Sequence, residues 1–215
     1  MQDIWAGRRD LLHEAVSGSL EGAAFSSAQL VREQLEASDP GDYEAAAFAC
    51  LAAAEAVGGA YEAALPGAVA MALLSQMALV FTGMENSGGA ASLSTAWGMP
   101  RSLNAGDAFF AMAQESVLAA PAELTAADRL QATRILDGGS RDLLDALFAA
   151  NGNADPVAIG LRALLPAAMA LGALLGGANA GASQRLAELG RAWATMEPEA
   201  LSRQLASDPG RWLAT

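Results

Sequence analysis

Few side chains in this sequence are of the types that do chemistry. The chain of 215 residues holds one histidine, His13, and one cysteine, Cys50. A histidine-rich metal site, a Cys/His zinc site and a conventional Ser–His–Asp triad all need more of these groups than are present. His13 reads as a surface or internally satisfied residue. Cys50, inside AAAFACLAAAEA, reads as a small buried thiol that cannot form a disulfide within the chain. Carboxylates are more plentiful, with 24 Asp and Glu. Placed one helical turn apart, they share a face and can bridge Mg²⁺ ions on a diphosphate. Asp142 and Asp145 have that spacing but read, on their own, as ordinary helix charges. Glu197 and Glu199 flank Pro198, and Glu85 stands in SQMALVFTGMENSGG. No D-D-x-x-D run occurs, nor a G-x-S-x-G elbow. The glycine-rich stretches GGAAS and LLGGANAG lack the strand and lysine of a phosphate-binding loop. Arg8-Arg9, the sole adjacent basic pair, suits a salt bridge or an anion contact but forms no patch.

Helices must position these groups. Hydrophobic residues make up 53% of the chain and aromatics only 6%, with Ala and Leu dominant. Those two residues favour helix, and sparse β-branched residues leave little to build a sheet. The expectation is one all-α domain over residues 1–215. Helices are expected at 4–17, 26–36, 43–57, 66–81, 104–118, 125–138, 141–150, 157–176, 183–195 and 198–205. Residues 61–64 read as a short connection and 85–95 as a loop, with Pro166 a bend point in its helix. The closing ASDPGRWLAT reads as a turn and a tail anchored by its tryptophan.

The formal charge of −12 disfavours non-specific binding to nucleic acid or an anionic membrane. Charged residues are 17%, against about a quarter in a typical soluble domain, which points to an oligomer with little surface left to solvent. Residues 63–84 and 163–184 carry no charge and are long enough to span a bilayer. Their Pro, Gly, Ser and Gln residues favour buried bundle helices instead. The N-terminus MQDIWAGRRDLLHEA has no apolar signal core, so the cytoplasm is the expected compartment.

Four segments, in order, resemble the trans-polyprenyl diphosphate synthases. LAAAEAVGGAYEAALPGAVAMALLSQMALVFTG is similar to the helix pair before the first aspartate-rich motif. WGMPRSLNAGDAFFAMAQE resembles the next helix, DGGSRDL the E-G-Q-x-x-D-L segment, and ALLPAAMALGALLGGA the helix leading to the second motif. The resemblance covers about residues 45–190. It implies an isoprenoid-synthase-like helical bundle, truncated at its C-terminus. It also implies a dimer, with Mg²⁺ held by two aspartate-rich motifs and a Lys/Arg set on the second diphosphate. An allylic cation would then form in an apolar cavity, its leaving group held by those charges.

The implied site residues are largely replaced. The first motif falls on Thr82, Gly83 and Asn86, with Glu85 one place off, and the preceding histidine falls on Phe81. The G-G-K-R segment falls on GDYE at 41–44, and the K-T dipeptide on Gly160-Leu161, with Arg162 nearby. The second motif should fall where the chain reads TMEPEA. Asp107 and Asp142 are retained, while the glutamine position is Gly139. Two expectations follow. One is a non-catalytic, synthase-like subunit with no cofactor that supports or regulates a complete prenyl synthase or another terpene-pathway enzyme, as homodimer or heterodimer, with room for an apolar isoprenoid ligand. The other is an enzyme with a rebuilt Mg²⁺ site acting on a prenyl diphosphate, as transferase or terpene cyclase. Its candidate residues are Glu85, Asp107, Asp142, Arg162 and Glu197.

Overall fold

The structure, a computed structural model, describes residues 6–21, 27–39, 41–85, 96–120, 124–150 and 155–213. Its helices are α1 (Ala6–Gly18), α2 (Ala28–Ala37), α3 (Gly41–Ala56), α4 (Leu65–Glu85), α5 (Met99–Leu118), α6 (Ala126–Ala150), α7 (Pro156–Leu175), α8 (Ala180–Ala194) and α9 (Pro198–Leu205). Short 3₁₀ turns at Tyr61–Ala64 and Pro209–Arg211 complete the order. No strand occurs among the described residues.

α3, α4 and α7 form the centre. In α3 every residue from Ala49 to Ala54 is buried, and in α4 every one from Ala68 to Ala78. A helix apolar on all sides needs neighbours on all sides. α7 packs on α3 and α4, and α5, α6 and α8 pack around these three. Small residues set the spacing. A Cβ at Gly172 of α7 would overlap the Cys50 carbonyl of α3, and one at Gly176 would lie 2.8 Å from the Ala54 Cα. The two backbones touch because neither helix has side-chain bulk there. Burial accounts for the apolarity of α4 and α7, both long and apolar enough to cross a membrane. Of their most apolar stretches, 78% and 56% of the residues lie inside the bundle.

Most polar groups in this core are hydrogen-bonded, Gln76 Nε2 being buried without a partner. Ser75 donates to the Met71 carbonyl one turn back at 3.0 Å. Gln76, fully buried, accepts hydrogen bonds from Gln34 (3.0 Å) and Ser38 (2.9 Å), which fix α2 to α4. The tail is anchored as expected. Trp212 is buried edge-on against Trp193, ring centres 4.9 Å apart, and donates to Ser207.

The structure departs from the sequence expectation at three places. Residues 125–138 and 141–150 are not two helices but one, α6. Gly138-Gly139 reads as a break, yet a Cβ at Gly139 would come within 2.6 Å of the Ala167 Cβ on α7. Close packing at that point outweighs the roughly 1 kcal/mol helix cost of a glycine. α4 runs on to Glu85, which is therefore helical rather than the start of a loop. The rest of the expected loop, residues 86–95, lies outside the described residues. α5 begins at Met99 rather than residue 104, with Pro100 in its first turn, where a missing N–H does no harm.

Two outcomes follow from this packing. Gly172→Ala should lower stability by about 1–3 kcal/mol through overpacking against α3, read as a fall in the denaturation midpoint. Burial pushes the Cys50 thiol well above its ordinary range. The native protein should therefore show no thiol reactive towards a disulfide reagent at pH 8, and the denatured protein should show its one thiol.

Candidate functional site

The C-terminal end of α4 is where the resemblance places the first metal motif. Thr82 is buried there, and its hydroxyl donates to the Ala78 carbonyl of its own helix at 2.6 Å. Gly83 contributes no side chain. Phe81, at the histidine position, lays its ring across Gly106 of α5, where any Cβ would collide with it. The ring thus fills the α4–α5 seam. Deeper in the bundle, Gly160 of α7 lies close to Ala78 and Leu143, so α4, α6 and α7 meet through apolar atoms.

The other sequence candidates are dispersed. Asp107 sits exposed on the outside of α5 and Asp142 exposed on α6. Glu197 is exposed in the turn before α9. Arg162 is half-buried on α7 and donates to the Ala194 carbonyl at 2.5 Å, capping the C-terminus of α8. Glu85 is the last residue of α4, and its side chain lies outside the described residues, as does Asn86. Among the described residues, no three His, Cys, Asp or Glu side chains gather closely enough to hold a metal ion. Mg²⁺ requires a near-octahedral set of oxygens with carboxylates among them. A hydroxyl bonded into its own helix and a glycine do not fit that requirement.

The position matched to the basic G-K-R segment carries the opposite charge. Glu44 on α3 is buried, and its carboxylate accepts from Arg9 Nε at 2.9 and 3.1 Å. It also lies 2.6 Å from His13 Nε2. Arg8 pairs with Glu55, about three turns further along α3, and stacks over the Tyr61 ring, 5.0 Å from its centre. Burial raises the Glu55 carboxyl pKa, and the Arg8 charge partly offsets this. Burial also raises the Tyr43 hydroxyl, helped by the negative charges of Glu44 and Asp39. These ion pairs clamp α1 onto α3 and engage Arg8, Arg9 and His13 within the fold. The sequence showed Arg8-Arg9 fit for a salt bridge. Glu44 as the partner is not legible in the sequence, where it is one of 24 acidic residues with nothing to distinguish it.

Two features of the described surface bear on ligands and partners. A groove of about 490 Å³ between α1, α4 and α5 is floored by Leu65, Pro66, Val69 and Met112, with Glu62 and Glu115 among its lining residues. The outer face of α5 and α6 exposes large apolar side chains: Met99, Leu103 and Leu118 on α5, and Leu130, Leu144 and Phe148 on α6. Phe148 is 84% exposed, which is unusual for a residue of that type.

No protein-family model matches the sequence, and no curated protein matches it. Solved structures do. A geranylgeranyl pyrophosphate synthetase from the archaeon Geoglobus acetivorans is similar with a TM-score of 0.73 at 20% identity, over 87% of this chain and 64% of that one. The chain thus spans less than two thirds of that synthetase. The geranyl diphosphate synthase small subunit from Antirrhinum majus is similar with a TM-score of 0.68 at 18% identity, over 96% of this chain and 93% of that one. A mint deletion mutant of heterotetrameric geranyl pyrophosphate synthase has a TM-score of 0.72 at 20% identity, over 99% and 94%. At identities this low the likeness establishes the fold, an all-α bundle of the isoprenoid-synthase type.

Proposed function

We propose that this chain is a non-catalytic subunit of the isoprenoid-synthase fold. It supports or regulates a complete prenyl diphosphate synthase or another enzyme of terpene metabolism, in the cytoplasm. One observation carries the reading. The places where the resemblance calls for cation and diphosphate ligands hold Thr82, Gly83 and a buried Glu44, while Arg162 caps a helix. An anion as strong as a diphosphate needs paired positive charge when it leaves water, and a buried carboxylate at its site opposes it. A structure described as a synthase small subunit is similar over nearly the whole of both chains, which agrees with this reading, although a structure described as a FPP/GFPP synthase is covered as fully. The exposed apolar face of α5 and α6 supports assembly with a second chain. The groove at Leu65 and Met112 suits the hydrocarbon of an isoprenoid, and its two carboxylates disfavour a diphosphate there.

The alternative is an enzyme with a rebuilt site, in which Glu85, Asp107, Asp142, Arg162 and Glu197 act on a prenyl diphosphate with Mg²⁺. The similarity to a synthetase favours it, and the dispersal of the described candidates over the surface weighs against it.

Two measurements separate the readings. The purified chain, incubated with allylic and homoallylic diphosphates and Mg²⁺, should give no condensation product by mass spectrometry. Sustained turnover would sink the proposal. Co-expression with the complete synthase encoded nearest to it should give a complex on pull-down. That complex should differ from the synthase alone in product length or rate.

A further inference from the structure

We infer that the groove between α1, α4 and α5 binds an amphiphilic cation, a protonated primary amine carried on a short hydrocarbon. The ligand class adds a head group to the hydrocarbon proposed for this groove above and rests on that proposal. It is independent of whether the chain is catalytic.

The groove has a charged end and an apolar end. α4 and α5 run antiparallel along it, since Ser116 of α5 lies against Pro66 of α4 and Gly106 lies against Phe81. Glu62 precedes Pro66 in the short 3₁₀ turn before α4, and Glu115 adjoins Ser116, so both carboxylates stand at one end. Val69 and Met112 lie about one turn further in from Pro66 and Ser116, are buried, and close the other end. From Glu62 to Val69 the chain advances roughly 10 Å at helical rise. The α1 wall presents Ala15 and Ser19, small residues one turn apart that leave the cleft open. A charged head at the Glu62 end and a hydrocarbon over Leu65 towards Met112 match that polarity.

The polar side chains of the groove are acceptors only. The Ser116 hydroxyl donates to the Pro66 carbonyl at 2.8 Å, and the Ser19 hydroxyl to the Val16 carbonyl at 2.6 Å. Each therefore has only lone pairs left to offer a ligand. Glu62 accepts from the Tyr61 hydroxyl, which leaves its charge unneutralised. Among the described residues neither Glu62 nor Glu115 is in an ion pair, and no arginine lines the groove. An alkylammonium is the complementary head: three donors, no acceptor and one positive charge, held at neutral pH. An alcohol brings a single donor, and a diphosphate brings acceptors and like charge. The chain's −12 also favours the approach of a cation. Both carboxylates are exposed, so water screens them and the preference for the cation is moderate in size.

Titration calorimetry with three probes that share one hydrocarbon separates head from tail: geranylamine, geraniol and geranyl diphosphate, all without Mg²⁺. At low salt the amine should bind about fivefold more tightly than the alcohol, and the diphosphate most weakly. The amine's advantage should fade at about 0.5 M salt. In E62Q/E115Q the amine should fall to the affinity of the alcohol, while the alcohol binds as before and so reports an intact groove. Ser19→Trp, at the open α1 wall, should abolish binding of both. Amine and alcohol binding equally well would overturn the inference and leave the hydrocarbon reading of the groove standing, whereas no binding of either would overturn both. An amine preference that survives E62Q/E115Q, a diphosphate that binds as tightly as the amine, or binding unchanged in Ser19→Trp would also overturn it. The turnover and co-expression tests of the subunit reading are read separately from all of these.

Discussion

The bundle depends on a backbone contact between α3 and α7. Gly172 lies against the Cys50 carbonyl, and Gly176 against Ala54. Two helices can approach so closely only where both present hydrogen or a methyl group. Once they do, the space along the axis is limited. Leu73 and Leu74 of α4, Leu143 of α6, and Leu164 and Leu171 of α7 are all buried without measurable exposure. Packing at this density makes the interior a core, where side chains interlock and a methylene more or less is felt. It also explains a composition that looks membrane-like in two runs. Those residues are apolar because the bundle surrounds them, and small because their neighbours are near.

Charge is arranged to the same end. The chain carries −12 overall, yet Glu44 is buried against Arg9 and His13, and Glu55 is partly buried against Arg8. Removing Arg9 leaves the buried Glu44 carboxylate with His13 alone beside it, which is the costly loss, whereas Arg9 itself is 40% exposed and is hydrated without its partner. Arg162 is likewise engaged, at the end of α8. In a site built for diphosphates, cations would stand open with their charge unspent. Here the arginines nearest the centre hold helices to one another, which is the physical basis for reading the fold as a scaffold.

Much of this was legible in the sequence. Alanine and leucine gave the helices, and the order of the Asn104-Ala105-Gly106-Asp107 and Asp137–Leu143 segments gave the fold that the solved structures share. Trp212 was readable as an anchor because a lone tryptophan follows a polar turn. What stayed hidden depends on contacts between distant segments. Gly138-Gly139 looks like a helix end until Ala167 of α7 is seen to demand a residue without a side chain. Glu44 is an ordinary acidic residue in sequence. Only the packing of α1 over α3 makes it a buried anion in the place where a cation was sought. The candidate residues Asp107 and Asp142 matched the family pattern by position, but the face of the helix they occupy turns them to solvent.

The proposed loss of a working metal-diphosphate site can be measured directly. Titration calorimetry of the purified protein with an allylic prenyl diphosphate, with and without Mg²⁺, addresses it without relying on turnover or on a partner. A subunit without such a site should show no Mg²⁺-dependent binding, and at most a weak metal-independent signal from the hydrocarbon. Micromolar binding that appears only when Mg²⁺ is present would contradict it.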